Sequence, residues 1–260
     1  MVAVTKLFGI VNLCSESFTF SSEPVMSQVM RMINQGVDII DVGAIPTNPK
    51  VSRLVTQQEE WVMLRNVLPG IINLAHEHGI WVSLDSFYFG TIRQGVEMGI
   101  DIINDQSGLD DPRILELLEY PSVKKAVFMH QCSLPTFSDK LVSGDIIVYL
   151  QEYISKKISF FNKHKVDISK LIFDPGLGFG KSIDQCYEVI NHISEMRRFP
   201  VLIGHSRKRM VASLSPLENP SIEDLDMITF GLSGYMIAKQ VDYLRVHNLK
   251  FYRKMLDMLK

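Results

Sequence analysis

Leu171-Ile-Phe-Asp-Pro-Gly-Leu-Gly-Phe-Gly-Lys-Ser182 admits two readings. Its second half looks like a nucleotide-binding loop, which needs Gly, four residues, then Gly-Lys-Ser or Gly-Lys-Thr so that consecutive backbone N–H groups wrap a phosphate. Counting back from Gly180 puts Pro175 where the first glycine is required. Proline has no N–H to donate and fixes φ, so the loop fails at its first position. What remains is an apolar run, Leu171-Ile-Phe, closed by Asp174 and a glycine-rich turn.

That pattern recurs along the chain. Short apolar, β-branched runs occur eight times: KLFGIVNL from Lys6, DIIDVGA from Asp38, IWVSLDS from Ile80, DIINDQS from Asp101, KAVFMHQ from Lys125, LIFDPGL from Leu171, VLIGHS from Val201 and DYLRVHN from Asp242. Continuous apolar content without polar alternation means burial on both faces, as in parallel strands under a layer of helices. A helix-capable stretch follows each run. From Thr56 to His78, for example, Trp61, Leu64, Leu68, Ile71, Ile72 and Ala75 recur at helical spacing, and Gly79 is placed to stop the helix. Eight strand-helix units in 260 residues predict a (β/α)8 TIM barrel, an α/β single domain spanning residues 1–260. A doubly wound open sheet is the alternative.

Composition narrows the partners. A formal net charge of -2 gives no general pull toward nucleic acid or an anionic membrane, so anion binding must come from a few placed side chains. No apolar run approaches the roughly 20 residues that span a bilayer. Cys14, Cys132 and Cys186 are odd in number and have no CxxC spacing, which argues against a disulfide framework or a thiol-rich zinc site and predicts a reducing, cytoplasmic setting. No basic segment precedes an apolar run at the start, so no signal peptide is expected. Small-molecule substrates are the partners that remain.

In a (β/α)8 barrel the active site lies at the C-terminal ends of the strands. The polar residues closing the eight runs are Asn12; Asp41; Asp85; Asn104 and Asp105; His130; Asp174; His205 and Ser206 with Arg207 and Lys208; and Arg245 with His247. Acids and amides gather on runs two to six and cations on seven and eight. One side suits a ligand edge rich in N–H donors, the other an anion.

Asn12 with Ser17-Phe18, Asp85-Ser86, Asn104-Asp105, Met129-His130, DPGLGFGKS, Ser206-Arg207-Lys208 and Arg245-Val246-His247 resemble, in order, the motifs of the dihydropteroate synthase family. The resemblance implies condensation of hydroxymethyl-dihydropterin pyrophosphate with para-aminobenzoate and release of pyrophosphate. It implies that Asp85, Asn104, Asp174 and Lys208 bind the pterin, and that Asn12, Thr47, Arg245 and His247 bind the pyrophosphate. Ser206 and Arg207 would receive the aminobenzoate, with Asp85, Lys208, Arg245 and His247 as the catalytic set. It further implies a magnesium ion (Mg2+) held in part by Asn12, and a homodimer. Two loops depart from the family's usual wording: Leu13 to Phe20, and Ala44 to Lys50, where Asn48 stands in place of an arginine. Two alternatives are a pterin-binding homologue with another acceptor or no catalysis, and a methyltetrahydrofolate-corrinoid methyltransferase. The cations of runs seven and eight argue against the second, which expels no pyrophosphate.

Overall fold

The computed structural model describes residues 5–14, 23–45, 55–132 and 141–259. Eight strands lie within them: β1 (Lys6–Asn12), β2 (Ile39–Gly43), β3 (Trp81–Asp85), β4 (Ile102–Asp105), β5 (Lys125–Met129), β6 (Leu171–Asp174), β7 (Leu202–Ile203) and β8 (Tyr243–Val246). They are the eight apolar runs of the sequence. All pair in parallel, in the order β6-β5-β4-β3-β2-β1-β8-β7, and a parallel bridge from Phe173 to Val201 joins the two ends. The sheet is therefore a barrel ringed by helices, and the open-sheet alternative falls.

Side chains of a strand alternate between its faces, and each face of this barrel has its own composition. Outward residues such as Leu7, Ile40, Val82, Ile103, Phe128, Phe173, Ile203 and Leu244 belong to the large core under the helices. Inward, Phe8, Ile39, Ile102, Val127, Ile172, Leu202 and Tyr243 cluster with Trp81, one residue from every strand. Burying side chains of this size contributes about 1.5–3 kcal/mol each, so the eight form an apolar plate that seals the barrel. Two residues further on the same inward face the character changes on most strands, to Asp41, Ser83, Asn104, Asp174 and Arg245, with Gly204 on β7, while Ile10 of β1 and Met129 of β5 stay apolar. The register sets Asp85 of β3 beside Asn104 of β4, and Met129 of β5 beside Asp174 of β6. Polar groups thus converge in a ring directly above the plate.

The stretch from Thr56 to His78 is two helices, Gln57–Leu64 and Leu68–Glu77, where periodicity predicts one. Pro69 is the cause: it has no N–H for the carbonyl of Arg65, and its ring clashes with that carbonyl. The first helix opens with a capping box of Thr56 and Glu59. The second ends at His78, and Gly79 follows at φ +69° as expected. No described helix is long and apolar enough to cross a membrane.

Candidate active site

The acids of the ring are bound to one another through Arg245. Its Nε donates to Asp41 Oδ2 at 2.6 Å and its Nη2 to Asp85 Oδ2 at 2.5 Å. Asn104 Nδ2 donates to the two oxygens of Asp41 at 3.1 and 3.4 Å, and Gln106 Nε2 to Asp85 Oδ1 at 2.7 Å. Burial raises the Asp85 carboxyl to about 6, with Asp41 and Asp174 adding to the effect and Arg245 opposing it. Burial would by itself weaken the Arg245 cation, but Asp41 and Asp85 outweigh it and hold the guanidinium above its ordinary range. The site therefore keeps fixed charge in a dry setting, where each unit is worth far more than in water.

Asp174 ends β6 with one oxygen already committed, since Oδ1 accepts the Gly176 N–H at 2.7 Å. Burial pushes its pKa up, opposed first by Lys208. The loop after this strand carries Gly176, Gly178 and Gly180, all at positive φ. Gly176 admits no side chain, because a Cβ there would lie 2.0 Å from the His130 carbonyl oxygen. The lysine that gives the stretch its P-loop look turns inward. Lys181 Nζ donates to His130 Nδ1 at 2.7 Å, Gly176 O at 3.1 Å and Phe179 O at 3.2 Å, so it ties its own loop to β5. Burial lowers Lys181 to about 8, and burial together with the Lys181 charge lowers His130 to about 3, a neutral ring.

On the cationic side, Lys208 Nζ donates to Leu177 O at 2.7 Å and lies 4.5 Å from the Phe179 ring centroid. Burial lowers it to about 8 against the pull of Asp174. His247 Nδ1 is 3.0 Å from Ser206 Oγ. The structure thus joins residues that the sequence assigns to opposite ends of the substrates. Burial, then the charges of Arg207, Arg245 and Lys208, keep His247 well below its ordinary pKa, so it enters as a neutral imidazole. Arg207 has left-handed backbone at φ 59° and a fork on Asp226, with Nε at 2.7 Å and Nη2 at 2.9 Å. Its charge is spent on the helix Ile222–Ala238. The helix after β7, Arg209–Ala212, is a single turn.

Two polar residues from the sequence reading belong to the scaffold. Asp105 faces outward and accepts from the Ser107 and Leu109 N–H groups. His205 Nε2 bonds Thr229 O at 3.1 Å and Ser233 Oγ at 2.9 Å in the core, and burial drops it to about 4. His76 is exposed on the helix Leu68–Glu77 and pairs with Asp101 at 2.8 Å. Asn12 ends β1 as expected, whereas Thr47 and Asn48 lie outside the described residues.

Sequence reasoning leaves Gln106, Lys181 and Glu60 out of the site. Glu60 is fully buried on Gln57–Leu64, accepts from Ser86 Oγ at 3.0 Å, and is raised by burial to about 7. A single acid on a helix carries no signal of its burial. Gln106 directly follows the Asn104-Asp105 motif and Lys181 lies inside the glycine-rich one, so position along the chain is a signal for both.

Residues 8–247 match the family model described as "Pterin binding enzyme". The chain is 31% identical to the dihydropteroate synthase of Haemophilus influenzae, over 100% of this chain and 93% of that protein. It is 32% identical to a folate synthesis bifunctional protein of Chlamydia trachomatis, covering 98% of this chain and 58% of that longer protein. The crystal structure of the Anaplasma phagocytophilum dihydropteroate synthase with bound 6-hydroxymethylpterin-monophosphate superposes with a TM-score of 0.87, at 34% identity and 98% of both chains. The chain belongs to the pterin-binding enzymes and, within them, to the dihydropteroate synthase family.

Proposed function

We propose that this chain condenses hydroxymethyl-dihydropterin pyrophosphate with para-aminobenzoate through the ring of residues above the apolar plate. The observation that carries the reading is Asp85 beside Asn104 on β3 and β4, with Asp174 across Met129 on β6, all on the inward face at the strand ends and faced by Lys208 and Arg245. The pyrimidine edge of a pterin offers an amino group and a ring N–H, which a buried carboxylate accepts in parallel. Asp174 takes that edge, and Asn104 supplies the alternating acceptor and donor next to it. Asp85 faces the far ring N–H, where its charge stabilises positive charge developing in the ring. Lys208 donates to the ring carbonyl and a ring nitrogen.

The pyrophosphate lies toward β8 and β1. Arg245 supplies charge there, neutral His247 a hydrogen bond, and Asn12 and Thr47 further contacts. Asn12 also offers magnesium a hard amide oxygen. No group of three or more His, Cys, Asp or Glu that could hold a metal occurs among the described residues, so phosphate oxygens and water would supply the other ligands. A magnesium ion held there would neutralise charge on the leaving group. The pterin methylene C–O bond breaks, its electron pair leaves with the pyrophosphate, and the aniline nitrogen forms the C–N bond and sheds a proton. Ser206 receives the aminobenzoate, with Arg207 fixing the turn that presents it.

A homodimer fits the helix Ile222–Ala238. Its outer face carries Met227, Gly231, Tyr235 and Ala238, all exposed, and Met227 is 69% exposed. An apolar, glycine-bearing helix face suits close packing against a second copy. A cytoplasmic setting is supported by three free cysteines.

The decisive assay is pyrophosphate release from the pterin pyrophosphate with magnesium, with and without para-aminobenzoate, and with Asp174→Asn as control. Release that requires aminobenzoate is the expected result. Donor binding without release would move the chain to another acceptor or to a binding role.

A further inference from the structure

Asp41 is fully buried on β2, and the proposed pterin pose gives it no contact with a ligand. Its carboxylate holds Arg245 Nε at 2.6 Å and Asn104 Nδ2 at 3.1 and 3.4 Å. A carboxylate in an ion pair only accepts hydrogen bonds. The Asn104 amide therefore has one orientation open to it, with nitrogen toward Asp41. Its Oδ1 is left as an acceptor for the pocket, and the second Nδ2 hydrogen as a donor beside it. Asn104 is itself buried at the β3–β4 seam, opposite Asp85 in register, so solvent cannot compensate a reversed amide.

We propose, on the basis of pterin binding at this site, that Asp41 is a positioning residue that sets the specificity of the pocket: by fixing the Asn104 amide, it makes the site read a ring edge with an amino group beside an unprotonated ring nitrogen. The same ring with an oxo group in place of the amino group presents an acceptor to Oδ1 and an N–H to the Nδ2 hydrogen. Both contacts are then mismatched, and a buried polar group without a partner bears its full desolvation cost. Asp174 reads the amino group from one side. Asp41, through Asn104, makes the other side agree.

The test measures dissociation constants for 6-hydroxymethylpterin and for its 2-oxo analogue by titration calorimetry, on wild type and Asp41→Asn. An amide at position 41 can donate as well as accept, so Asn104 can turn over. The wild type is expected to prefer the pterin by at least about 100-fold, and Asp41→Asn to narrow that preference by about tenfold, the equivalent of one hydrogen bond to a charged group. Loss of affinity for both ligands with an unchanged preference would overturn the proposal, since Asp41 would then act only through the charge of Arg245. Wild-type protein that binds neither ligand would overturn the pterin reading and this proposal with it. Asp41→Ser, smaller and also able to donate, gives the same measurement if Asp41→Asn does not fold.

Discussion

Asp174 differs from an ordinary strand-end acid in having one oxygen anchored on its own loop by a single N–H, so that both oxygens keep a lone pair for a ligand. Asp174→Asn keeps volume and removes the charge, so 6-hydroxymethylpterin affinity should fall by about 10- to 100-fold while the melting temperature stays near wild type. Calorimetric titration beside a thermal melt checks both; unchanged affinity would take Asp174 out of the site. Protonation gives a second expectation. Asp85 is ionised only above about 6, because burial raises it, and Lys208 is protonated only below about 8, because burial lowers it. If both charges serve the reaction, kcat/KM for the donor should fall on the acid side through Asp85 and on the alkaline side through Lys208. Asp85→Asn should lower the plateau and abolish the acid limb. Most of these residues are legible in the sequence because they end apolar runs. Arg207 and His205 meet the same criterion, yet Asp226 and Ser233 claim them, and those partners sit on a helix some distance away in sequence. Adjacency to a strand end says where a residue starts; which partner captures it is a tertiary fact.

The loop after β6 is the element whose conformation the site depends on most. Gly176 and Gly79 both have positive φ, +66° and +69°, but a Cβ at Gly176 meets the His130 carbonyl while one at Gly79 meets nothing within 4 Å. Gly79→Ala should therefore cost only the backbone strain, about 1–2 kcal/mol, and leave donor binding intact. Gly176→Ala should cost more in thermal stability and lose donor affinity as well, because Asp174 Oδ1 is anchored on its N–H. Equal losses for the two would mean that the loop yields. The helix Gln57–Leu64 gives a pH-dependent case. Buried Glu60 holds its proton to about 7 against an ordinary 4.5, so its contribution to stability is present in full below 4.5 and is lost as pH rises through 7. Relative to wild type, Glu60→Gln should gain little at pH 4.5 and about 2–3 kcal/mol above pH 7, read from denaturant unfolding at both pH values. Helix periodicity predicts this region as one element, since apolar spacing continues in phase across Pro69. The proline, not the pattern, decides the break.

For the whole molecule, eight apolar runs specify the barrel because burial on both faces leaves a strand few other places to go. Quaternary structure is less legible, since an exposed Met227 reads in sequence like any core methionine. Sedimentation should give a particle of about twice 29.6 kDa, and Met227→Lys with Tyr235→Lys should shift it toward the monomer with little change in pterin affinity. A wild-type monomer would remove the dimer. The apolar plate has a consequence of its own. Successive inward positions on a strand are about 6.6 Å apart, so only one tier of polar side chains separates the plate from the strand ends around Asp174 and Asn104. The plate acts as a depth stop. A flat ring standing on its pyrimidine edge can meet Asp174 and Asn104, but a substituent projecting from that edge has nowhere to go except into packed Ile172 and Ile102. In the proposed pose, ligands would thus be sorted by length along the barrel axis before their hydrogen bonds are compared, with chemical elaboration tolerated only at the end that points outward.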